Sequence, residues 1–296
     1  MGLEAAFCGG LKMTKILLIG DLHCGSRVGL MPPEVRVVEE DGEVETHKQT
    51  SEIQRILWRK FMECVKDVGR VDITLVNGDV VDGYGVKDKG AEQWNTDINT
   101  QVETACECLS QIRSKRFVIT QGTPYHTSAN PSGDEMVANH LRKSGDSEVI
   151  FGTDAILRVN GLRLHCSHKI GVSSSAWMYR TTPVAKELVM ALLNAQELGR
   201  IDGVIRSHAH YFVEVKFGHT FGMILPCWQA RTPHMAKFGL AFVPRNGYVV
   251  LNVSSDGRME YDYEMFSLKS RMPEVIVGEK RKRGTKDERK EEKNKQ

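Results

Sequence analysis

Three short apolar runs, each stopping at a glycine and a polar side chain, constrain this chain most. Residues 15–20 (KILLIG) end at Gly20-Asp21, residues 71–77 (VDITLVN) end at Gly78-Asp79, and residues 116–120 end at Gln121-Gly122. Continuous apolar runs of this length are the pattern of parallel strands buried on both faces. Between the first two, Ile53, Ile56, Leu57, Phe61, Val65 and Val68 recur at helical spacing, which predicts a helix over about 49–68. A second helix over about 91–113 precedes the third run. Alternating strands and helices put the carboxyl ends of the strands along one edge, where ligands bind in open α/β sheets.

The second half reads differently. Residues 155–160 and 162–167 flank Asn160-Gly161, a strong hairpin signal. A helix over about 183–198 has Pro183 at its start and Thr182 as its expected N-cap. Residues 201–206 form another apolar run, followed by Ser207-His208-Ala209-His210, and further strands are expected at 212–217, 223–228, 248–253 and 259–263. Two β-sheets faced by helices fit this order better than one open sheet.

The 296 residues suffice for a core that needs no staples, and 41% hydrophobic with 26% charged residues is globular usage. A net charge of +2 gives no global electrostatic footprint for nucleic acid. Seven cysteines without a CxxC pair suit reduced thiols and an intracellular, cytoplasmic protein. The apolar runs are too short to span a bilayer, so no membrane partner is expected. The start lacks signal-peptide features, and Met1-Gly2 is followed by Ala6 where myristoylation wants Ser or Thr. The expected organisation is an N-terminal extension over 1–12, one domain over 13–278 and a charged tail over 279–296. That tail is expected to be disordered and solvated, or else to act as a weak polyanion-binding arm.

The polar residues at the strand ends carry the chemistry. Asp21 and His23 follow the first strand, Asp79 the second, and His126 lies in the loop after the third. His168 ends a later strand, and His208 and His210 follow another. In an extended segment, Asp-x-His and His-x-His each place two side chains on one face. Mixed carboxylate and imidazole donors suit Mn, Fe, Zn or Ni rather than Ca or Mg. A carboxylate between two half-sites, here Asp79, can bridge a pair of divalent ions that clamp both the attacking and the leaving oxygen of a phosphoryl displacement.

Gly20-Asp21-Leu22-His23, Asn77-Gly78-Asp79-Val80-Val81-Asp82, the Gly122 loop with His126, then His168 and His208-Ala209-His210 together resemble the calcineurin-like metallophosphoesterase superfamily. The resemblance runs from about residue 14 to 228. It implies an α/β fold with two mixed β-sheets packed as a sandwich and flanked by helices. It also implies that Asp21, His23 and His210 hold one ion, that Asp79 bridges, that His168 and His208 hold the second, and that Asp82 orients a ligand. The third motif departs from the family's Gly-Asn-His: this chain has Gly122-Thr123-Pro124-Tyr125-His126. Either His126 reaches back as the catalytic acid, the favoured reading, or it replaces the missing Asn as a ligand; Thr123 is a weaker candidate for that position. His165 competes with His168, which is preferred for its place nearer the strand end. His47, His140, His219 and His234 have no comparable context. Cys24 is either a soft ligand or, as preferred, a packing residue.

The expected activity is hydrolysis of a phosphate ester, preferably a nucleotide or nucleic-acid phosphodiester, by a hydroxide bridging two divalent ions, with manganese favoured. Arg27, Tyr125, Trp177, Tyr179 and Arg180 are the candidate substrate contacts, with Arg231 lower in rank, because aromatic rings can stack a base and arginines can hold a phosphate. Two alternatives stand: a DNA nuclease of the same superfamily, and a non-catalytic metal-binding scaffold, to which the altered Gly122 loop points.

Overall fold

The computed structural model describes residues 12–38, 41–85, 89–127, 132–171, 179–237, 239 and 243–268. The expectations for an extension over 1–12 and a tail over 279–296 fall almost wholly outside them, as does Trp177. In chain order the first elements are β1 (Met13–Ile19), β2 (Glu34–Val38), β3 (Val44–Lys48), α1 (Glu52–Val68), β4 (Val71–Asn77), α2 (Ile98–Ser110), β5 (Ser114–Thr120), α3 (Pro124–Thr127), α4 (Gly133–Ser144) and β6 (Glu148–Gly152). There follow β7 (Asp154–Val159), β8 (Leu162–Ser167), α5 (Thr182–Leu193), α6 (Ala195–Leu198), β9 (Gly203–Arg206), β10 (Val213–Phe217), β11 (Thr220–Ile224), α7 (Pro233–Ala236), β12 (Asn246–Ser254) and β13 (Met259–Phe266).

Two mixed sheets result. The first has the order β13-β12-β1-β4-β5-β6, with β1, β4, β5 and β6 parallel and β12 antiparallel to β1. The second has the order β10-β11-β9-β8-β7, with β8, β9 and β11 parallel. Strand alternation explains the layering. Ile16, Leu18, Ile73, Leu75 and Val118 face the second sheet and pack with Leu164, Cys166, Ile205 and Met223. Their neighbours Leu17, Ile19, Val76, Phe117 and Ile119 face the opposite way, into a core shared with Leu57 and Phe61 of α1, Leu109 of α2 and Val137 of α4. Val184 and Leu188 of α5 cover the outer side of the second sheet. The architecture is thus the helix-flanked sandwich of two mixed sheets that the motif resemblance implies.

Several local expectations are corrected. The hairpin β2–β3, the helix α4 and the strand β6 were not anticipated, and β6 belongs to the first sheet. The N-cap of α5 is Thr181, not Thr182, and its side chain makes no capping bond. The strand expected at 223–228 is β11, which ends at Ile224, because from Leu225 the chain turns towards the polar end of the sandwich.

Helix α1 begins with a capping box: Ser51 accepts from the Gln54 amide at 3.2 Å, and Gln54 Oε1 accepts from the amides of Ser51 at 3.1 Å and Thr50 at 2.8 Å. The Gln54 amide group also donates to the Ser26 carbonyl at 3.1 Å, tying the helix start to the loop after β1. Gln54→Ala therefore removes the side-chain partner of three backbone groups, of which the Ser26 carbonyl belongs to a buried residue, and is expected to cost about 1–3 kcal/mol of stability, measured by urea denaturation; a loss below about 0.5 kcal/mol would contradict this anchor.

Candidate metal centre

Parallel pairing brings the carboxyl ends of β1 and β4 to one edge, and the chain there adopts an unusual backbone. Among the described residues seven non-glycine positions have positive φ, and five of them are Asp21 (52°), His23 (47°), Asp79 (48°), His208 (69°) and His210 (54°). Left-handed backbone at a non-glycine residue costs on the order of 1 kcal/mol and persists only where its surroundings enforce it. This corrects the expectation that Asp21 and His23 share a face of an extended segment: alternate left-handed residues, not strand pleating, aim these side chains inward. Hydrogen bonds between loops hold the conformation. The amides of Asp21, His23 and Cys24 donate to the carbonyls of Gly78, Asp79 and Val80 at 3.0, 3.0 and 2.9 Å. The Trp228 amide donates to the Asp21 carbonyl at 2.9 Å, and the His208 amide to Asp21 Oδ2 at 3.0 Å. Gly78 and Gly122 complete the cradle, since a Cβ would lie 2.6 Å from the His168 ring at the first and 2.0 Å from Asp79 Oδ1 at the second.

The six side chains meet. Donor atoms of Asp21, His23 and His210 form one group within mutual reach, and those of Asp79, His168 and His208 form another. Asp21 Oδ1 lies 3.2 Å from His210 Nε2, 3.8 Å from His23 Nε2 and 3.9 Å from His168 Nε2. His168 Nε2 is 2.9 Å from Asp79 Oδ2, and His23 Nε2 is 3.2 Å from His210 Nε2. Asp21 Oδ1 and His168 Nε2 are nevertheless buried without a well-formed hydrogen bond, although both lie within ion-pairing distance of their neighbours. Unsatisfied buried polar atoms are expensive, and here they converge, as donors to a common cation would. The residues present therefore fit divalent metal ions.

Hydrogen bonds behind the rings set their tautomers. His23 Nδ1 donates to Asp82 Oδ1 at 2.9 Å, and His168 Nδ1 to the Asn77 carbonyl at 2.7 Å, so in each neutral ring the Nε2 lone pair faces the cluster. Burial pushes the His23 ring down, but Asp21 and Asp82 outweigh it and raise it to about 10. Burial likewise opposes the charge on His168, and Asp79 and Asp21 raise that ring to about 9. Burial disfavours both carboxylates, yet His210 and His168 hold Asp21, and His168 and His126 hold Asp79, well below the usual range. Burial, then His168, lowers His208 to about 4, leaving it neutral.

A second layer of polar groups supports the first. Gln93 donates to Asp82 Oδ2 at 2.6 Å and Gln229 to Asp82 Oδ1 at 3.3 Å, while Gln101 accepts from the Asp82 and Gly83 amides at 3.1 and 2.8 Å. Fully buried Asp134, in the first turn of α4, accepts from the amides of Val80 at 2.9 Å and Gly122 at 2.7 Å. It thereby ties the second and third motif loops together. Burial, reinforced by the neighbouring Asp79, raises it to about 6. These residues escaped the sequence reading; for Asp134 the available signal was Ser132 three residues before Glu135, a capping pattern whose Ser132 side chain accepts from the Glu135 amide at 3.2 Å.

The remaining candidates divide. The Thr123 amide donates to Asp79 Oδ1 at 2.7 Å, and its hydroxyl lies 3.3 Å from both Asp79 oxygens. His126 stacks edge-on against His23 with ring centroids 4.6 Å apart, donates from Nδ1 to the Asp82 carbonyl at 2.7 Å, and falls in a donor group with His23 and Asp79. His165 turns away: its ring nitrogens meet Asp154 at 3.0 Å and Arg206 at 2.9 Å. Cys24 packs in the helix-facing core. The Arg180 guanidinium lies 4.8 Å above the Tyr211 ring, next in sequence to His210. Tyr125 packs edge-on to His126 at 4.8 Å, Tyr179 is exposed, and Arg27 donates from Nε to the Ala91 carbonyl at 3.3 Å. The Arg231 guanidinium donates to the Gly239 carbonyl at 2.6 Å. His47 and His140 pair with Glu45 and Glu103 at 3.6 and 3.2 Å.

No protein-family model and no curated protein matches the chain. Several solved structures align along most of the chain. Vps29 from Cryptosporidium parvum is 11% identical over 86% of this chain and 99% of that one, with a TM-score of 0.44. An archaeal phosphodiesterase is 11% identical over 86% and 100%, with a TM-score of 0.43. Vps29 complexed with zinc from Entamoeba histolytica is 14% identical over 86% and 100%, with a TM-score of 0.38. At such identities the likeness says nothing of chemistry. No helix among the described residues is long and apolar enough to cross a membrane.

The raised His23 and His168 values have a measurable consequence, because ligands must shed their protons to bind a cation. Titrating Mn²⁺ at pH 7.5 is expected to release about two protons per chain, read by calorimetry in buffers of different ionisation enthalpy. Since each ring is protonated below its raised value, apparent affinity should climb as pH rises from 7 and flatten above 9–10. Binding without proton release would contradict the arrangement.

Proposed function

We propose that the chain is a phosphoesterase of the calcineurin-like type, hydrolysing a nucleotide or nucleic-acid phosphodiester. The observation that carries this reading is the convergence of Asp21, His23, His210 and Asp79, His168, His208 into two adjoining donor groups, with Asp21 Oδ1 and His168 Nε2 buried and without hydrogen bonds between them. Asp21, His23 and His210 would hold one cation, His168 and His208 the second, and Asp79 would touch both; manganese suits this donor set. When bound, such a pair neutralises charge on phosphoryl oxygens and acidifies water.

The chain's own residues do the rest. Asp82 fixes the His23 tautomer, and Gln93 and Gln229 hold Asp82 in place. The Thr123 amide holds the Asp79 carboxylate, and Asp134 holds the backbone on either side of it through the amides of Val80 and Gly122. His126, braced through its Nδ1–H, would deliver the second proton of its doubly protonated ring from Nε2 to the departing alkoxide and be left neutral. Arg180, held over Tyr211, and the exposed Tyr179 supply a cation and a ring for a phosphate and a base.

Asp79→Asn is expected to abolish turnover of bis(p-nitrophenyl) phosphate with added manganese; activity within tenfold of the parent would sink the bridging role. Tight manganese binding by the parent without turnover of aryl diesters, cyclic nucleotides, dinucleotides or DNA would favour the scaffold alternative instead. For His126→Gln the expected loss is about 10²–10⁴-fold on alkyl or nucleoside leaving groups and much smaller on p-nitrophenolate, which leaves without a proton. An equal loss on both, accompanied by loss of bound metal, would make His126 a ligand rather than the acid.

A further inference from the structure

One buried amide ties the two sheets together beneath the donor groups. Asn77, the last residue of β4, is fully buried, as are Thr120 at the end of β5 and Ser207 just after β9. The Thr120 hydroxyl donates to Asn77 Oδ1 at 2.8 Å. Asn77 Nδ2 donates to the Ser167 carbonyl at 3.1 Å and to Ser207 Oγ at 2.8 Å. A carbonyl can only accept, so the Ser167 bond fixes which way the amide points. The Asn77 carbonyl in turn accepts from His168 Nδ1 at 2.7 Å. Gly20 lets the crossing stay tight, since a Cβ there would lie 2.7 Å from Ser207 Oγ. Sheet pairing cannot supply this constraint, because the two sheets share no paired strands among the described residues.

The landing points of these bonds carry the inference. Ser167 precedes His168, Ser207 precedes His208, and Asn77 itself stands two residues before Asp79. Asn77 thus acts on all three members of one donor group, whereas His23 of the other group is braced separately through Asp82, Gln93 and Gln229. We propose that Asn77 is a positioning residue for the group of Asp79, His168 and His208, and sets how tightly that group holds a divalent cation. The inference rests on the metal-binding part of the function proposed above. The position calls for one acceptor and two donors on a short side chain, which asparagine supplies.

Calorimetric titration of the full chain with manganese tests this, with His208→Ala marking the binding step that belongs to the second group. The parent should bind two ions. Asn77→Ala should weaken the marked step about 10–100-fold and leave the other at the parent's affinity. Asn77→Asp keeps the shape but has no N–H for the Ser167 carbonyl, so it should weaken the same step. Ser207→Ala removes a single arm; it should weaken that step by less, and it carries the test should replacement of Asn77 unfold the chain. An Asn77→Ala chain that binds both ions as the parent does, or a Ser207→Ala chain indistinguishable from the parent, would overturn this inference alone. Equal weakening of both steps with a lowered melting temperature would also overturn it, since that is the mark of a merely structural residue. A parent that binds fewer than two ions would overturn it together with the two-ion reading.

Discussion

Parallel pairing of β1 with β4 and of β4 with β5 is the constraint on which the site depends. Each of these strands is buried on both faces, so its register is set by two cores at once. A slip of one residue would send Leu17 and Ile19 into the inter-sheet layer and Ile16 and Leu18 towards the helices, which neither layer is shaped to accept. With register fixed, the loops after β1 and β4 must leave the sheet side by side, and their amide-to-carbonyl bonds become available. The second sheet is held against the first by the same inter-sheet core, and β8 and β9 deliver His168, His208 and His210 to that edge.

Around this edge the polar groups are arranged in depth. Asp82 is gripped by Gln93, Gln229 and the loop that Gln101 holds, so the orientation of His23 is set several bonds away from any donor atom. Asp134 does the same for the loops of Asp79 and Gly122. Its buried carboxylate accepts two amide protons, which fix the spacing of two strand ends beyond what the sheet itself provides. Rigid supports of this kind limit how far the inner side chains can drift when no ligand holds them.

The sequence made much of this legible because burial on both faces leaves a compact signature. The runs that became β1, β4 and β5 are nearly continuous and stop at a polar residue beside a glycine, and a helical period of apolar residues marks α1. The strand-end Asp and His residues could be read as one cluster for the same reason. The β2–β3 hairpin was illegible because β3, VETHK, is exposed and charged and β2, EVRVV, buries only Val35 and Val37, which leaves too short an alternation to stand out. Helix α4 was missed because its buried face is narrow, with few large apolar residues beside Asp134. Of the second layer only Asp82 was legible, through the motif resemblance: a glutamine such as Gln101 or Gln229 has no pattern in one dimension, and its role appears only when chain segments far apart in sequence meet. The left-handed turns also lie outside what apolar periodicity can report, since they depend on bonds between loops.

Those turns impose a double requirement on five positions. At Asp21, His23, Asp79, His208 and His210 the side chain must offer an oxygen or nitrogen, and the residue must also tolerate a conformation that branched or bulky amino acids resist. Aspartate, asparagine and histidine are the types that meet both conditions with least difficulty, whereas glycine meets only the second and glutamate is less at ease with it. Variation at this edge is therefore filtered twice, once by chemistry and once by stereochemistry. An exchange between aspartate and asparagine can alter reactivity with the loop path intact, while a β-branched replacement would redirect the chain itself.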